Sequence, residues 1–136
     1  MPDVPVRPLF LKIDCLRLPV RDLDAALAFY RDRLGHQLIW RTDAAAGLSL
    51  PGSNAELVLQ TERPQVETDL SVESVGAAVE RFVAAGGRLI AGPFDIQIGK
   101  CAVVADPFGN ALVMLDASKG LLRTDPEGRA IGNESP

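Results

Sequence analysis

The chain has a single histidine, His36, among its 136 residues, and only 5% of the residues are aromatic. One imidazole per chain excludes metal sites built from two or three histidines, such as His-rich zinc sites, unless subunits pool residues. A metal would therefore need mostly oxygen or sulfur ligands. His36 follows Gly35, where a helix is expected to end, so we expect it to cap that helix end at the surface.

Basic runs and long apolar runs are also missing. The 14 basic residues are outnumbered by 18 acidic ones, for a formal net charge of -4, which argues against a surface that follows nucleic-acid phosphates. No apolar stretch approaches the roughly 18 to 20 residues of a membrane span. Met1 to Pro8 lack the apolar region of a signal peptide. We expect a cytoplasmic protein that binds small organic molecules, with no nucleic-acid or membrane partner.

Cysteine is scarce as well, with Cys15 and Cys101 each in an apolar, strand-like run. Disulfide-stapled secreted domains are usually smaller and richer in cysteine, so we expect two buried, reduced thiols. A nearby histidine or a position at a helix N-terminus is the usual means of lowering a thiol pKa. Cys15 has no histidine near it in the sequence and does not begin a helix. A packing role is therefore favoured over a nucleophilic one.

An internal repeat relates the two halves of the chain at a separation of 52 positions. Residues 18–20 (LPV) match residues 70–72 (LSV), and Gly35 matches Gly87. Similarity this thin could arise by chance between two amphipathic helices. The flanking elements repeat as well, however, and a repeat that is missed leads to a wrong fold.

Each half of the chain predicts one helix and four strands in the order βαβββ. A strand over 9–20 is followed by Asp22 as a helix N-cap, and a strand over 67–72 is followed by Ser74 in the same role. Apolar stripes follow both caps, and the helices end at Gly35 and at 86–87. The other strands are expected at 37–42, 46–50, 56–61, 88–90 or 88–95, 99–105 and 110–116.

Two such modules, over about 9–61 and 66–116, predict an α+β fold in a single domain over 1–117. Neither module has enough sheet to cover both its helix and its far face. Pairing them gives one curved, eight-stranded mixed sheet around a concave cavity, with the helices outside; ligands are typically held in such cavities. Residues 118–136 are rich in glycine, proline and charge without an apolar period, so we expect a partly disordered C-terminal arm.

Residues 14–23 (DCLRLPVRDL), with Phe29-Tyr30 and Leu34-Gly35 after them, resemble the opening of the vicinal oxygen chelate superfamily. Its members include glyoxalase I, extradiol dioxygenases, fosfomycin resistance enzymes and bleomycin resistance proteins. Residues 106–110 (DPFGN) resemble its closing hairpin. The resemblance covers about residues 9–117 and implies the same order of elements.

The resemblance also implies one divalent metal on the concave face, with ligands from the first and last strands of each module. By position these ligands fall on Cys15, Glu56, Glu67 and Val113. Val113 cannot coordinate a metal and no imidazole is present, so the implied site is degenerate. We expect no metal cofactor, although Cys15, Glu56 and Glu67 are chemically able to hold a divalent metal.

Strand alternation predicts which side chains line the cavity. If Cys15 and Glu67 face inward, the residues two positions further along their strands, Arg17 and Asp69, face inward as well. Glu67 lies 52 positions after Cys15, and Asp69 lies 52 positions after Arg17. We therefore expect Cys15 to lie close to Glu67 and Arg17 to lie close to Asp69. One reading is that Arg17 orients an anionic or carbonyl-bearing ligand while Glu56 or Glu67 acts as a base. The other is that these charges only neutralise one another as an internal ion-pair network.

Three aromatic residues are placed to stack on a planar ligand, with ordinary packing an equal alternative: Trp40, Phe94 and Phe108. Two hypotheses for function follow. The first is a metal-free protein that binds a small organic molecule, similar to the bleomycin resistance group, whose members bind drug-like compounds in clefts at a homodimer interface. The second is a lyase or isomerase that enolises a carbonyl substrate with Glu56 or Glu67 as base, with or without a divalent metal.

Overall fold

Eight strands form one mixed β-sheet in the computed structural model, which describes residues 7–134. In chain order they are β1 (Lys12–Pro19), β2 (Leu38–Arg41), β3 (Ala45–Ser49), β4 (Glu56–Gln60), β5 (Glu67–Ser71), β6 (Arg88–Asp95), β7 (Lys100–Ala105) and β8 (Ala111–Leu115). Their spatial order is β2-β3-β4-β1-β5-β8-β7-β6. The two modules therefore meet where β1 pairs antiparallel with β5, and β2 and β6 are the edges of an open sheet. The predicted α+β fold of two βαβββ modules is confirmed.

Both helices begin at the predicted N-caps. Asp22 accepts a hydrogen bond from the backbone N–H of Ala25 at 3.1 Å, ahead of α1 (Leu23–Leu27). Ser74 accepts one from Ala77 at 3.4 Å, ahead of α2 (Val75–Ala84). The first helix continues as a π-helical segment over Ala28–Arg33, and Gly35 follows with a φ of 84°, a left-handed conformation that ends helices.

The helices bury apolar side chains against the outer face of the sheet, in one cluster per module. Leu27 packs with Leu48 and Leu59 in the first cluster, and Val75 packs with Met114 in the second; all five are essentially inaccessible to solvent. Burial of one such side chain stabilises a protein by about 1.5–3 kcal/mol. Because the outer face carries the helices, the concave face is left to form a cavity.

A buried carboxylate, Asp116, fixes the second helix to the end of the sheet. It accepts hydrogen bonds from the backbone N–H groups of Val75 (2.8 Å) and Lys100 (3.0 Å) and from the Ser118 hydroxyl (2.7 Å). Burial alone would raise the pKa of Asp116, but these hydrogen bonds stabilise the charged form and lower it. The ionised side chain thus joins α2, β7 and the start of the C-terminal segment.

The segment after residue 117 differs from the sequence-based expectation. The sequence pattern predicts no strand here and a partly disordered arm, whereas β9 (Leu122–Thr124) and β10 (Ala130–Asn133) form an antiparallel hairpin. These strands are only three and four residues long, too short for an alternating pattern to be recognised.

The expectations for residues 1–6 and 135–136 lie outside the described residues. None of the helices within 7–134 has the length and apolarity that a membrane crossing requires.

Candidate functional site

A cavity of about 820 Å³ lies on the concave face of the sheet. Side chains from β1, β5, β7 and β8 line it, and residues of the β9–β10 hairpin add a further wall. Its acidic and basic lining residues are Asp14, Arg17, Glu62, Arg63, Glu67 and Asp69. Its larger apolar lining residues are Trp40, Phe94, Ile96, Ile98, Val103, Val113, Leu115, Leu122 and Ile131.

The C-terminal hairpin, residues 119–134, is attached to both sides of the open sheet. On the β2 side, the carbonyl oxygen of Gly128 accepts a hydrogen bond from the backbone N–H of Arg41 at 2.7 Å. On the β6 side, the Asn133 side-chain amide donates to the carbonyl oxygen of Gln97 at 2.8 Å. The hairpin therefore spans the concave face from one sheet edge towards the other, and the cavity lies between the hairpin and the sheet.

The cluster at the junction of β1 and β5 differs in register from the sequence-based expectation. Cys15 lies opposite Asp69, and Arg17 lies opposite Glu67. The 52-residue repeat instead predicts Cys15 beside Glu67 and Arg17 beside Asp69. The pseudo-twofold axis runs between the antiparallel strands β1 and β5, and it relates each residue of β1 to the residue of β5 that is 52 positions later. Residues related in this way lie diagonally across the axis and not directly opposite each other. The four side chains do share the cavity, but the directly paired residues are different.

Both arginines that line the cavity face carboxylates. The Arg17 Nε atom lies 3.6 Å from Glu67 Oε2, and its Nη2 atom lies 3.7 Å from Glu62 Oε1. Arg63 Nη1 donates to Glu67 Oε1 at 2.9 Å. This geometry matches the internal ion-pair interpretation of Arg17, because its guanidinium already has two acidic neighbours.

Asp69 is the most strongly perturbed acid of the cavity and is only 4% exposed. Its Oδ2 atom accepts a hydrogen bond from the Cys15 thiol at 3.5 Å, whereas no group within residues 7–134 donates to Oδ1. Burial and then the neighbouring Glu67 raise the pKa of Asp69 to about 8, with Arg17 opposing them. Near neutral pH, Asp69 is therefore held in its protonated form beside Glu67. The sequence predicts that Asp69 lies in the cavity, but it points to acid–base roles only for Glu56 and Glu67.

The two cysteines are free thiols, and neither has the environment of a nucleophile. Cys15 is 3% exposed, and burial, followed by the negative charge of Asp69, raises its pKa. Burial also raises the pKa of Cys101, which lines the cavity from β7. A thiolate is the reactive form of cysteine, so the packing role expected for Cys15 agrees with its surroundings.

Glu56 lies beside Cys15 in the β1–β4 pair, but its carboxylate is occupied by Trp40. The indole Nε1 of Trp40 donates to Glu56 Oε1 at 2.7 Å. Burial raises the pKa of Glu56, and the hydrogen bond from Trp40 opposes that effect. Trp40 lines the cavity whereas Glu56 does not, so the indole separates this candidate base from the cavity.

Replacing Gly47 with alanine should displace that indole. A Cβ atom at Gly47 would lie 2.0 Å from Trp40 Nε1, a distance that no side chain tolerates. Overpacking of this kind destabilises a protein by about 1–3 kcal/mol. Since Trp40 is the chain's only tryptophan, we expect a red-shifted emission maximum as the indole becomes more hydrated.

Gly52→Ala is the matched control for Gly47→Ala, because a Cβ at Gly52 would meet nothing within 4 Å. Its emission spectrum and unfolding midpoint should match those of the parent protein. If Gly47→Ala also left both unchanged, the packing of Trp40 against β3 would be wrong.

The remaining predicted site residues divide into two groups. Phe94 and Val113 line the cavity as expected, and Val113 lies opposite Asp69 in the β5–β8 pair. Phe108 is 86% exposed on the turn between β7 and β8 and is not among the cavity-lining residues, so the structure places its ring away from the cavity ligand that it is expected to contact. The cause is local, because Asp106 accepts the Phe108 backbone N–H at 2.8 Å and the ring points to solvent. His36 lies outside the cavity, with its ring Nδ1 3.1 Å from the Ser49 carbonyl oxygen.

The residues at the four implied metal-ligand positions do not fit a divalent cation. Glu56 is held by Trp40, Glu67 is held by two guanidinium groups, and Cys15 carries a thiol proton that it donates to Asp69. Val113 offers no donor atom. In the described part of the chain, no group of three His, Cys, Asp or Glu side chains is arranged to hold a metal ion.

The arrangement matches a known family of proteins. A model of the Glyoxalase/Bleomycin resistance protein/Dioxygenase superfamily matches residues 12–114. An uncharacterized protein from Mycolicibacterium smegmatis is 35% identical over 107 residues, which cover 75% of this chain and 90% of that protein.

Solved structures share the same fold. Methylmalonyl-CoA epimerase from Mycobacterium tuberculosis is 21% identical, with a TM-score of 0.69 over 84% of this chain and 93% of the epimerase. Homoprotocatechuate 2,3-dioxygenase from Brevibacterium fuscum is 23% identical, with a TM-score of 0.61 over 83% of this chain but 39% of the dioxygenase. At these identities the similarity establishes the fold and not the reaction.

Proposed function

The chain belongs to the Glyoxalase/Bleomycin resistance protein/Dioxygenase superfamily, and from that premise we propose that it binds a small organic molecule in the cavity without a metal. The cavity itself carries this proposal. Its volume of about 820 Å³ lies within the roughly 300–1,000 Å³ typical of ligand sites. Its lining is also typical, because apolar side chains surround a few polar groups that can fix the orientation of a ligand.

The occupied side chains favour binding over catalysis. A general base must reach the substrate proton with a free carboxylate. Glu67 is paired with Arg17 and Arg63, so its oxygen atoms already have partners, and Glu56 lies behind Trp40. Both acids that the sequence analysis names as bases are therefore held in structural interactions.

One observation favours the alternative, a lyase or isomerase that enolises a carbonyl substrate. Asp69 and Glu67 are neighbouring acids with different environments, one buried and protonated, the other paired with arginines. Two carboxyl groups in different environments can supply an acid and a base in one site. In this alternative Glu67 would accept a proton and Asp69 would donate one.

A cavity-blocking variant tests the proposal. A thermal-shift screen of small organic compounds should identify ligands that stabilise the protein, and Val113→Trp should abolish that stabilisation by filling the cavity next to Asp69. Val83→Trp, on the exposed side of α2, should preserve it. Ligands whose effect survives in a folded Val113→Trp protein would contradict the proposal.

The same samples address the other parts of the proposal. We expect a cytoplasmic homodimer, so light scattering should give twice the chain mass of 14.5 kDa. A monomeric mass at all concentrations would contradict the dimer.

An isotope-exchange experiment tests the enolising alternative. NMR would detect the incorporation of solvent deuterium at the carbon next to a ligand carbonyl. Incorporation that is lost in Glu67→Gln would support the enolising alternative instead.

A further inference from the structure

We propose that the ligand is an organic ammonium, with its positively charged nitrogen against Asp69 and an apolar body between the sheet and the C-terminal hairpin. This inference rests on the proposed function, since it names the chemical class of the molecule in the same cavity. It follows from the charge of the lining, from one buried carboxylate oxygen to which no described group donates, and from the apolar side chains that face the charged cluster.

The cavity has more carboxyl groups than guanidinium groups. Its lining contains four acidic residues and two arginines. Glu62 and Glu67 are the acids that contact those arginines, which leaves Asp14 and Asp69 without a basic partner in the cavity. An anionic ligand would meet acidic groups beside arginines that are already paired. A cationic ligand would reduce the charge imbalance.

Asp69 offers the hydrogen-bond position that such a ligand would use. Asp69 lines the cavity and is 4% exposed; its protonated form is hydrogen-bonded with Glu67, whereas the Oδ1 atom of its ionised form has no donor in the described structure. A buried polar atom without a hydrogen bond is unfavourable, and a donor from a ligand would satisfy it. A charged nitrogen makes a stronger hydrogen bond to a carboxylate than a neutral donor does.

The surroundings of Asp69 predict that binding releases a proton. Cys15 and Arg17 face it from β1, Glu67 lies on its own strand, Cys101 faces the cavity from β7, and β8 presents the uncharged Val113. Burial and Glu67 keep Asp69 protonated near neutral pH. When the ammonium binds, the Asp69 O–H bond breaks, the proton passes to solvent, and the resulting carboxylate pairs with the cation. Affinity should therefore increase as the pH rises towards the pKa of Asp69.

The rest of the lining specifies the body of the ligand. Phe94 and Ile131 expose about half of their surface, 51% and 52%, although both line the cavity. Ile96, Ile98 and Leu122 add further apolar contacts. An aryl or alkyl group against these side chains would remove apolar surface from water, which is the main favourable contribution to binding of such groups.

Three probes of the same shape separate charge from apolar contact: 3-phenylpropylammonium, 3-phenylpropanol and 3-phenylpropanoate. In titration calorimetry at neutral pH, we expect the ammonium to bind about tenfold or more tightly than the alcohol, and the carboxylate to bind most weakly. Buffers of different ionisation enthalpy should show that the ammonium releases a proton and the alcohol does not.

Asp69→Asn should remove both the preference for the ammonium and the proton release, while binding of the alcohol persists. Glu80→Gln, which neutralises an exposed acid on α2, should preserve both. Equal or weaker binding of the ammonium relative to the alcohol or carboxylate would overturn the inference, as would absence of ammonium binding at millimolar concentration. The proposed function fails separately, when Val113→Trp leaves binding of every screened ligand intact.

Discussion

Asp69→Asn should make the protein's stability much less dependent on pH between about 4 and about 8. Asp69 has a usual pKa of 3.8 and a raised one of about 8 in the folded protein, because burial and Glu67 disfavour its charge. Between these values the folded state holds a proton that the unfolded state has lost, so stability falls as the pH rises. Each such proton contributes roughly 1 kcal/mol per pH unit, and asparagine has none to lose.

Denaturant unfolding at several pH values across that window measures the effect. The parent protein should lose stability as the pH increases, and Asp69→Asn should lose less and become the more stable of the two at the alkaline end. Glu80→Gln removes one exposed carboxyl group and should retain the slope of the parent. An unchanged slope in Asp69→Asn would show that Asp69 is ionised in the folded state throughout, against its burial.

Removing the C-terminal hairpin should weaken ligand binding strongly without unfolding the sheet. A chain that ends at Ser118 keeps β1 to β8 and the Asp116 hydrogen bonds, but it loses the cavity wall that includes Leu122 and Ile131. Loss of such apolar contacts costs about 1–3 kcal/mol per side chain, so affinity should fall by about tenfold or more. Calorimetry with 3-phenylpropylammonium reports the affinity, and circular dichroism reports the fold.

Two variants of full length separate the wall from the attachment of the hairpin. Leu122→Ser with Ile131→Ser should reproduce most of the lost affinity. Asp43→Ala removes an exposed ion pair with Arg129 and should change affinity little, because surface ion pairs are worth about 0–1 kcal/mol. If the truncated, folded protein bound as tightly as the parent, the hairpin would not be part of the binding site.

The fold could be predicted because its determinants are local and occur twice. The alternation of apolar residues, the N-caps Asp22 and Ser74, and the glycine after the first helix place the elements along the chain. The repeat then implies that the two modules pair. For that reason the eight strands lie within three residues of their predicted starts and ends. The one choice left open, the length of β6, falls on the longer alternative, 88–95.

The site was only partly predictable because its details depend on long-range contacts. Inward-facing positions of β1 and β5 follow from alternation, but the pairing of Cys15 with Asp69 depends on the register between modules. The wall formed by Leu122 and Ile131 comes from a few apolar residues in a polar segment, and these residues follow no helical or strand period. Trp40 covers Glu56 through a side-chain hydrogen bond between residues that are 16 positions apart in the chain. No sequence pattern predicts such a contact.

The open sheet has two edges, and both are poorly suited to the addition of another strand. Unpaired backbone groups on an edge strand can recruit a strand from a second molecule. At β2, Arg41 already pairs with Arg129 of the C-terminal hairpin, and the strand is only four residues long. At β6, Pro93 has no backbone N–H to donate. Sheets of two copies are therefore not expected to join edge to edge, and a second copy would associate through side chains on another surface.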